Sequence, residues 1–185
     1  MIAFYILMGL LVITVICIIS AYNKLVKLKT LMEEAWSIVD VFLNKRYDLI
    51  PNLVETVKGF AAHENETLES VILARNQSLG ARNVAEKVES ESVLSNALGR
   101  LMVVTEQYPQ LLANENFMHL QNELSGLESE IERARRYYNG SVRENNIGVR
   151  TFPKNIIAGM FNFEEGKFFE VAQTKREAPK VSFAK

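Results

Sequence analysis

From Ile2 to Tyr22 the chain reads IAFYILMGLLVITVICIISAY, 21 residues without one Asp, Glu, Lys, Arg or His. Wound as a helix, that run is about 30 Å long, the thickness of the hydrocarbon core of a bilayer. A cleaved secretory signal would carry basic residues ahead of an apolar core of roughly 7–15 residues. Here no Lys or Arg precedes the run, its apolar part is longer, and no Ala-x-Ala closes it. A retained transmembrane helix over residues 2–22 is therefore expected. Lys24, Lys27 and Lys29 follow the span. By the positive-inside rule this bias puts the bulk of the chain in the cytoplasm and the short N-terminus outside. The alternative is the opposite sidedness, since three lysines are a small bias and Glu33 and Glu34 come soon after.

Beyond the span the composition turns to Glu, Lys, Arg, Asn and Ser, arranged with helical periodicity. Trp36, Leu43, Ile50 and Val57 share one heptad phase, and Val39, Arg46, Leu53 and Phe60 share its companion. Seven of these eight positions are apolar, and the phase survives Pro51. A proline inside a helix removes one backbone donor and crowds the carbonyl four residues back, here that of Tyr47. An unbroken phase favours a helix that bends at Pro51 and continues. The competing reading is a new helix capped by Asp48 with Pro51 in its first turn. Arg46 is the one charged residue among these seam positions. Either it pairs with a buried carboxylate and fixes helix register, or it snorkels at the bundle edge.

Further along, residues 65–79 form a shorter amphipathic segment with Leu68, Val71, Ile72, Arg75 and Leu79 near one face. GARNVAEKVESES, residues 80–92, reads at least in part as a polar helix–helix connection. Residues 93–108 resume a stripe of Val93, Leu94, Ala97, Leu98, Leu101, Val104 and Tyr108, which Pro109 closes. A last long helix follows Asn114 or Asn116 as N-cap. It carries Phe117, Leu124, Ile131 and Tyr138 in one phase and Leu120, Leu127 and Ala134 in the other. The expectation is an all-α chain: an N-terminal transmembrane helix, then an antiparallel bundle of about four long helices. Its parts are the span at 2–22, the bundle at 23–150, an aromatic-rich segment at 151–170 and a polar tail at 171–185. The segment holds Phe161, Phe163, Phe168 and Phe169. They either cap the bundle core or form an interaction surface for a partner or the membrane interface.

The chemistry-bearing motifs are sparse. Di-iron bundles use Glu-x-x-His pairs, but Phe60 stands three residues before His63 and Asn116 three before His119. There is no Gly-x-Ser-x-Gly and no phosphate-cradling glycine loop. Cys17, the single cysteine, lies inside the apolar span, where a thiolate is disfavoured. No cofactor and no metal are expected. A formal net charge of −1 gives no support for nucleic-acid binding.

YNKLVKLKTLMEEAWSIVDVFLNKRYDLIPNLVETVKGFAAHE, directly after the apolar run, resembles the signature stretch of the LemA family of bacterial membrane proteins. EQYPQLLANENFMHLQNELSGLESEIERARRYYNGSVRENNIGVRTFPKNIIAGMFNF resembles the family's second long block. The likeness runs from Tyr22 to about Phe169. Its most specific pieces are Arg46 with Asp48 to Val54, Tyr108-Pro109, Tyr138-Asn139 and Phe152-Pro153. The resemblance implies a single-pass protein of the bacterial cell (inner) membrane, N-terminus out, with a helical bundle and without established catalysis. Three functions follow as expectations. The first is a membrane-anchored scaffold that self-assembles as a homo-oligomer on the lipid bilayer. The second is an adaptor that presents a membrane-protein partner to a membrane protease or envelope-stress system. The third is an enzyme with a site around Arg46, Asp48 and Arg75.

Overall fold

The computed structural model describes residues 1–170; the polar tail at 171–185 lies outside them. The described residues form six helices and no strand: α1 Ile2–Lys58, α2 Asn65–Gly80, α3 Val84–Thr105, α4 Pro109–Leu112, α5 Glu115–Arg150 and α6 Lys154–Met160. The chain is all-α, as its periodicity requires.

Pro51 lies inside α1, which runs through it without interruption. The heptad phase explains why. Val39, Leu43, Arg46, Ile50, Leu53 and Val57 are all fully buried, so apolar contacts on both sides of the proline hold the helix together. The donor that Pro51 lacks is replaced from another helix: Arg75 Nε donates to the Tyr47 carbonyl at 2.7 Å. One expectation needs correction. Helix α1 stops at Lys58, and Phe60 lies in the following turn with its ring exposed, so the seam ends at Val57.

The chain divides into two compact units. One is built on Leu43–Ser129 and contains the last turns of α1, then α2, α3, α4 and the first turns of α5. Its four long segments bury Leu53, Val57, Leu68, Val71, Leu94, Leu101 and Phe117 into one core. Helix α2 buries Leu68 and Val71 as expected, but its inward face is rotated toward Ala74 and Ser78 relative to the sequence pattern. Leu68, Val71, Ala74 and Ser78 are buried, whereas Ile72 and Arg75 are half-buried and Leu79 is exposed. The polar stretch 80–92 is also mostly helix, with only residues 81–83 connecting α2 to α3. Asn83 caps α3 by accepting from the Glu86 amide at 3.0 Å, while the Glu86 carboxylate accepts from the Arg82 amide at 2.8 Å. At the start of α5 it is Asn114, not Asn116, that accepts the Phe117 amide, at 3.0 Å.

The other unit combines Met1–Phe42 with Glu130–Phe168. Here α1 and α5 run antiparallel. Trp36 packs on Tyr138 with ring centroids 5.2 Å apart, and Gly148 lets α5 approach so closely that a Cβ there would sit 2.6 Å from Leu28 Cδ1. The chain after α6 lies against this pair, tied by α5 side chains. Asn146 donates to the Gly166 carbonyl at 3.0 Å and accepts from its amide at 2.8 Å. Asn145 donates to the Glu164 carbonyl at 3.1 Å, and Tyr138 to the Lys167 carbonyl at 2.8 Å. These bonds satisfy an irregular backbone that has no helix of its own to do so. Residues 2–20 of α1 are all exposed.

Candidate functional site

Arg46 is the centre of the most unusual chemistry in the molecule. Placed by the heptad phase at a core position, it is fully buried. Its two terminal nitrogens donate to the carboxylates of Glu91 on α3 and Glu128 on α5. Glu91 is 2% exposed and also accepts the Tyr47 hydroxyl on its other oxygen. The Arg46 Nε is buried with no hydrogen-bond partner. Of the two readings open to Arg46, pairing is therefore the one realised. A buried guanidinium is tolerable only when its charge is met by carboxylates at hydrogen-bond distance.

The surrounding groups complete the cluster. Lys87 is buried one turn before Glu91, donates to the Ser78 carbonyl near the end of α2 at 3.1 Å, and lies 5.4 Å above the Tyr47 ring. Burial, then the negative Glu91 and its hydrogen bond, push the Tyr47 phenol far above its usual 10.0. It is held neutral, a donor rather than a general base. Arg75 reaches the Tyr47 carbonyl, so Arg46, Tyr47 and Arg75 belong to one network, while Asp48 faces solvent on the far side of α1. Pro51 is half-buried one turn further on. Every donor–acceptor pair named here is internal, linking one helix to another. A groove of about 330 Å³ between α3 and α5, lined by Leu98, Met102, Leu124 and Glu128 among others, borders the exposed edge of the Glu128 carboxylate. Its walls are mainly apolar, and Glu128 is its single charged residue.

Glu91 and Lys87 do not stand out in the sequence, because the stretch containing them reads as connection. The signal was present. Seven residues before the buried Leu94 and Leu98 stand Lys87 and Glu91, and Asn83-x-x-Glu86 marks a helix start before them.

The four phenylalanines, expected either to cap the core or to form an interaction surface, do not share one environment. Phe161 is 51% exposed and Phe168 41%, Phe163 is half-buried, and Phe169 is buried at 4%. Phe169 thus serves the core rather than a surface. Phe161 and Phe163 pack edge-on against Tyr22 at 4.9 and 5.6 Å. Among the described residues no three His, Cys, Asp or Glu side chains gather as a metal site.

The model of the LemA family matches residues 35–183, which include Arg46, Glu91 and Glu128. Magnetosome protein MamQ 2 of Paramagnetospirillum magneticum is 24% identical over 179 residues, covering 83% of this chain and 66% of that protein. Magnetosome protein MamQ of Magnetospirillum gryphiswaldense is 23% identical over 178 residues, covering 82% and 65%. Protein LemA of Metamycoplasma hominis is 24% identical over 155 residues, covering 83% and 71%. The chain thus spans slightly less than two thirds of the length of these MamQ proteins. With a family match over most of its length, the chain belongs to the LemA family.

Proposed function

We propose that this protein is a non-enzymatic, membrane-anchored helical scaffold that self-assembles at the bacterial cell membrane. The observation that carries the reading is α1 itself. One unbroken helix begins as an uncovered apolar run long enough to cross a bilayer and ends as a core helix of a packed bundle. Anchor and bundle share this helix with no linker between them, which suits a scaffold. The Arg46 cluster supports the same reading, since its charges are spent on joining α1, α3 and α5. Lys24, Lys27 and Lys29 favour the bundle on the cytoplasmic side. The exposed Ile38 and Val41 on α1 offer apolar surface for a second copy of the chain.

The test is the mass of the full-length protein in a membrane mimic, with photo-crosslinkers at Val41 in native membranes. Self-adducts and a multimeric mass are expected. A monomer with neither self-adducts nor a co-purifying protein would overturn the scaffold reading, and recovery of a single heterologous membrane protein would favour the adaptor.

A further inference from the structure

Helix α6 is apolar on both sides. Ile157 and Ala158 are buried against Leu25 of α1, with Ala21, Val149 and Phe163 packed around them. On the outer side, Ile156 is 53% exposed and Met160 69%, four residues apart and so on one face. Phe152, another four residues back, and Phe161 at the helix end are exposed as well. Apart from the exposed Asn155 and the half-buried Lys154 in its first turn, the helix carries no polar side chain, and nothing among the described residues covers its outer side. It carries no Asp or Glu; Lys154 is its only charge.

Its position says what would cover it. Asn162, in the left-handed region at φ 54°, ends α6, and the Phe163 amide returns to the Ala158 carbonyl at 2.9 Å. This turn sets Phe161 and Phe163 edge-on against Tyr22, the last residue of the apolar run. The packing partners Ala21, Tyr22 and Leu25 fall where α1 leaves the hydrocarbon, with Lys24, Lys27 and Lys29 exposed alongside. Exposed Phe, Ile and Met, an aromatic cluster, neighbouring lysines and no acidic residue on the helix are the attributes of a segment lying in the headgroup region.

We propose that residues 152–161 are a second membrane contact, seated in the bilayer interface beside the exit of α1. The proposal rests on the anchoring of α1, and one experiment separates the two. Full-length protein is labelled in detergent with an environment-sensitive fluorophore at native Cys17, or, in a Cys17→Ser background, at Met160→Cys or Glu132→Cys. Each sample is reconstituted into phosphatidylcholine/phosphatidylglycerol vesicles containing lipids brominated at shallow or deep acyl positions. The expected result is loss of most emission from Cys17 with deep bromines and from position 160 with shallow ones. The label at the exposed Glu132 position is expected to keep its emission. An unquenched label at 160 beside a quenched Cys17 overturns the interfacial contact and leaves the anchor standing. If that unquenched label is also blue-shifted, protein rather than lipid covers the face. Unquenched labels at both positions overturn anchor and contact together. Ile156→Cys repeats the measurement should Met160→Cys perturb the fold.

Discussion

A charge with no water around it must be answered by its neighbours, and Arg46 is answered by Glu91 within the core and Glu128 at its edge. The two carboxylates are not equivalent. Glu91 is 2% exposed, whereas the Glu128 side chain is 48% exposed and shares its charge with solvent. Arg46→Met leaves the buried Glu91 without its guanidinium and is expected to cost about 3–5 kcal/mol of unfolding free energy. Arg46→Met with Glu91→Leu is expected to recover part of that loss: the apolar replacement needs no desolvated charges, but it leaves the Tyr47 hydroxyl without its acceptor. Glu128→Gln should cost below about 1 kcal/mol. Thermal and urea unfolding in detergent, followed by circular dichroism, distinguishes the three. A double variant no better than the single would show that the lost pairing, together with the Tyr47 hydroxyl left without its acceptor, outweighs the relief from burying no charge. Tyr47 adds a pH signature. Its phenol is raised in the folded chain from 10.0, so folding holds a proton that the unfolded chain releases. The associated stability is complete below about pH 10 and is lost progressively as pH rises above it. Tyr47→Phe should flatten this alkaline fall, leaving the smaller parts due to Tyr108 and Tyr138, which are also raised.

At the scale of the element, α1 is a helix that tolerates a proline because a neighbouring helix repairs it. Pro51 cannot donate to the Tyr47 carbonyl, and Arg75 from α2 does so. Arg75→Met should therefore cost about 1–3 kcal/mol in the native sequence, the penalty for an unmet carbonyl away from water. In a Pro51→Ala background the backbone N–H regained at that position restores the helical bond, and the same substitution should cost far less. A double-mutant cycle by urea unfolding measures this coupling directly. Equal costs in both backgrounds would show that Arg75 acts through its other bond, to Asn76 Oδ1 at 3.2 Å, or through packing.

For the molecule as a whole, the proposed anchoring turns on the transfer of the apolar run into lipid. It contains 12 Leu, Ile, Val and Phe residues between Ile2 and Tyr22. At roughly −0.3 to −0.6 kcal/mol each they contribute on the order of −4 to −7 kcal/mol, and one central Arg subtracts about 2.5–3.5. Val12→Arg alone is expected to leave the protein in the membrane pellet after alkaline extraction. Val12→Arg with Ile16→Arg removes about 5–7 kcal/mol and should release a large fraction. Release by the single substitution would mean that the run contributes less to anchoring than its composition suggests.

The helical class, the apolar helix at the N-terminus and the passage of a helix through Pro51 were all legible in the chain, because periodicity and apolar length are local properties that folding has to respect. So were the seam residues Val39, Leu43, Ile50, Leu53 and Val57, and the place of Arg46 among them. The tertiary structure decided what the pattern leaves open. It gave Arg46 its partners on α3 and α5, turned α2 toward Ala74 and Ser78, made helix of residues 84–92, and buried Phe169 while exposing Phe161. It also supplied Arg75 to the Tyr47 carbonyl across 28 positions of sequence. Each of these depends on which helix faces which. One helix's periodicity specifies the face it buries, but the charge or donor waiting there belongs to another.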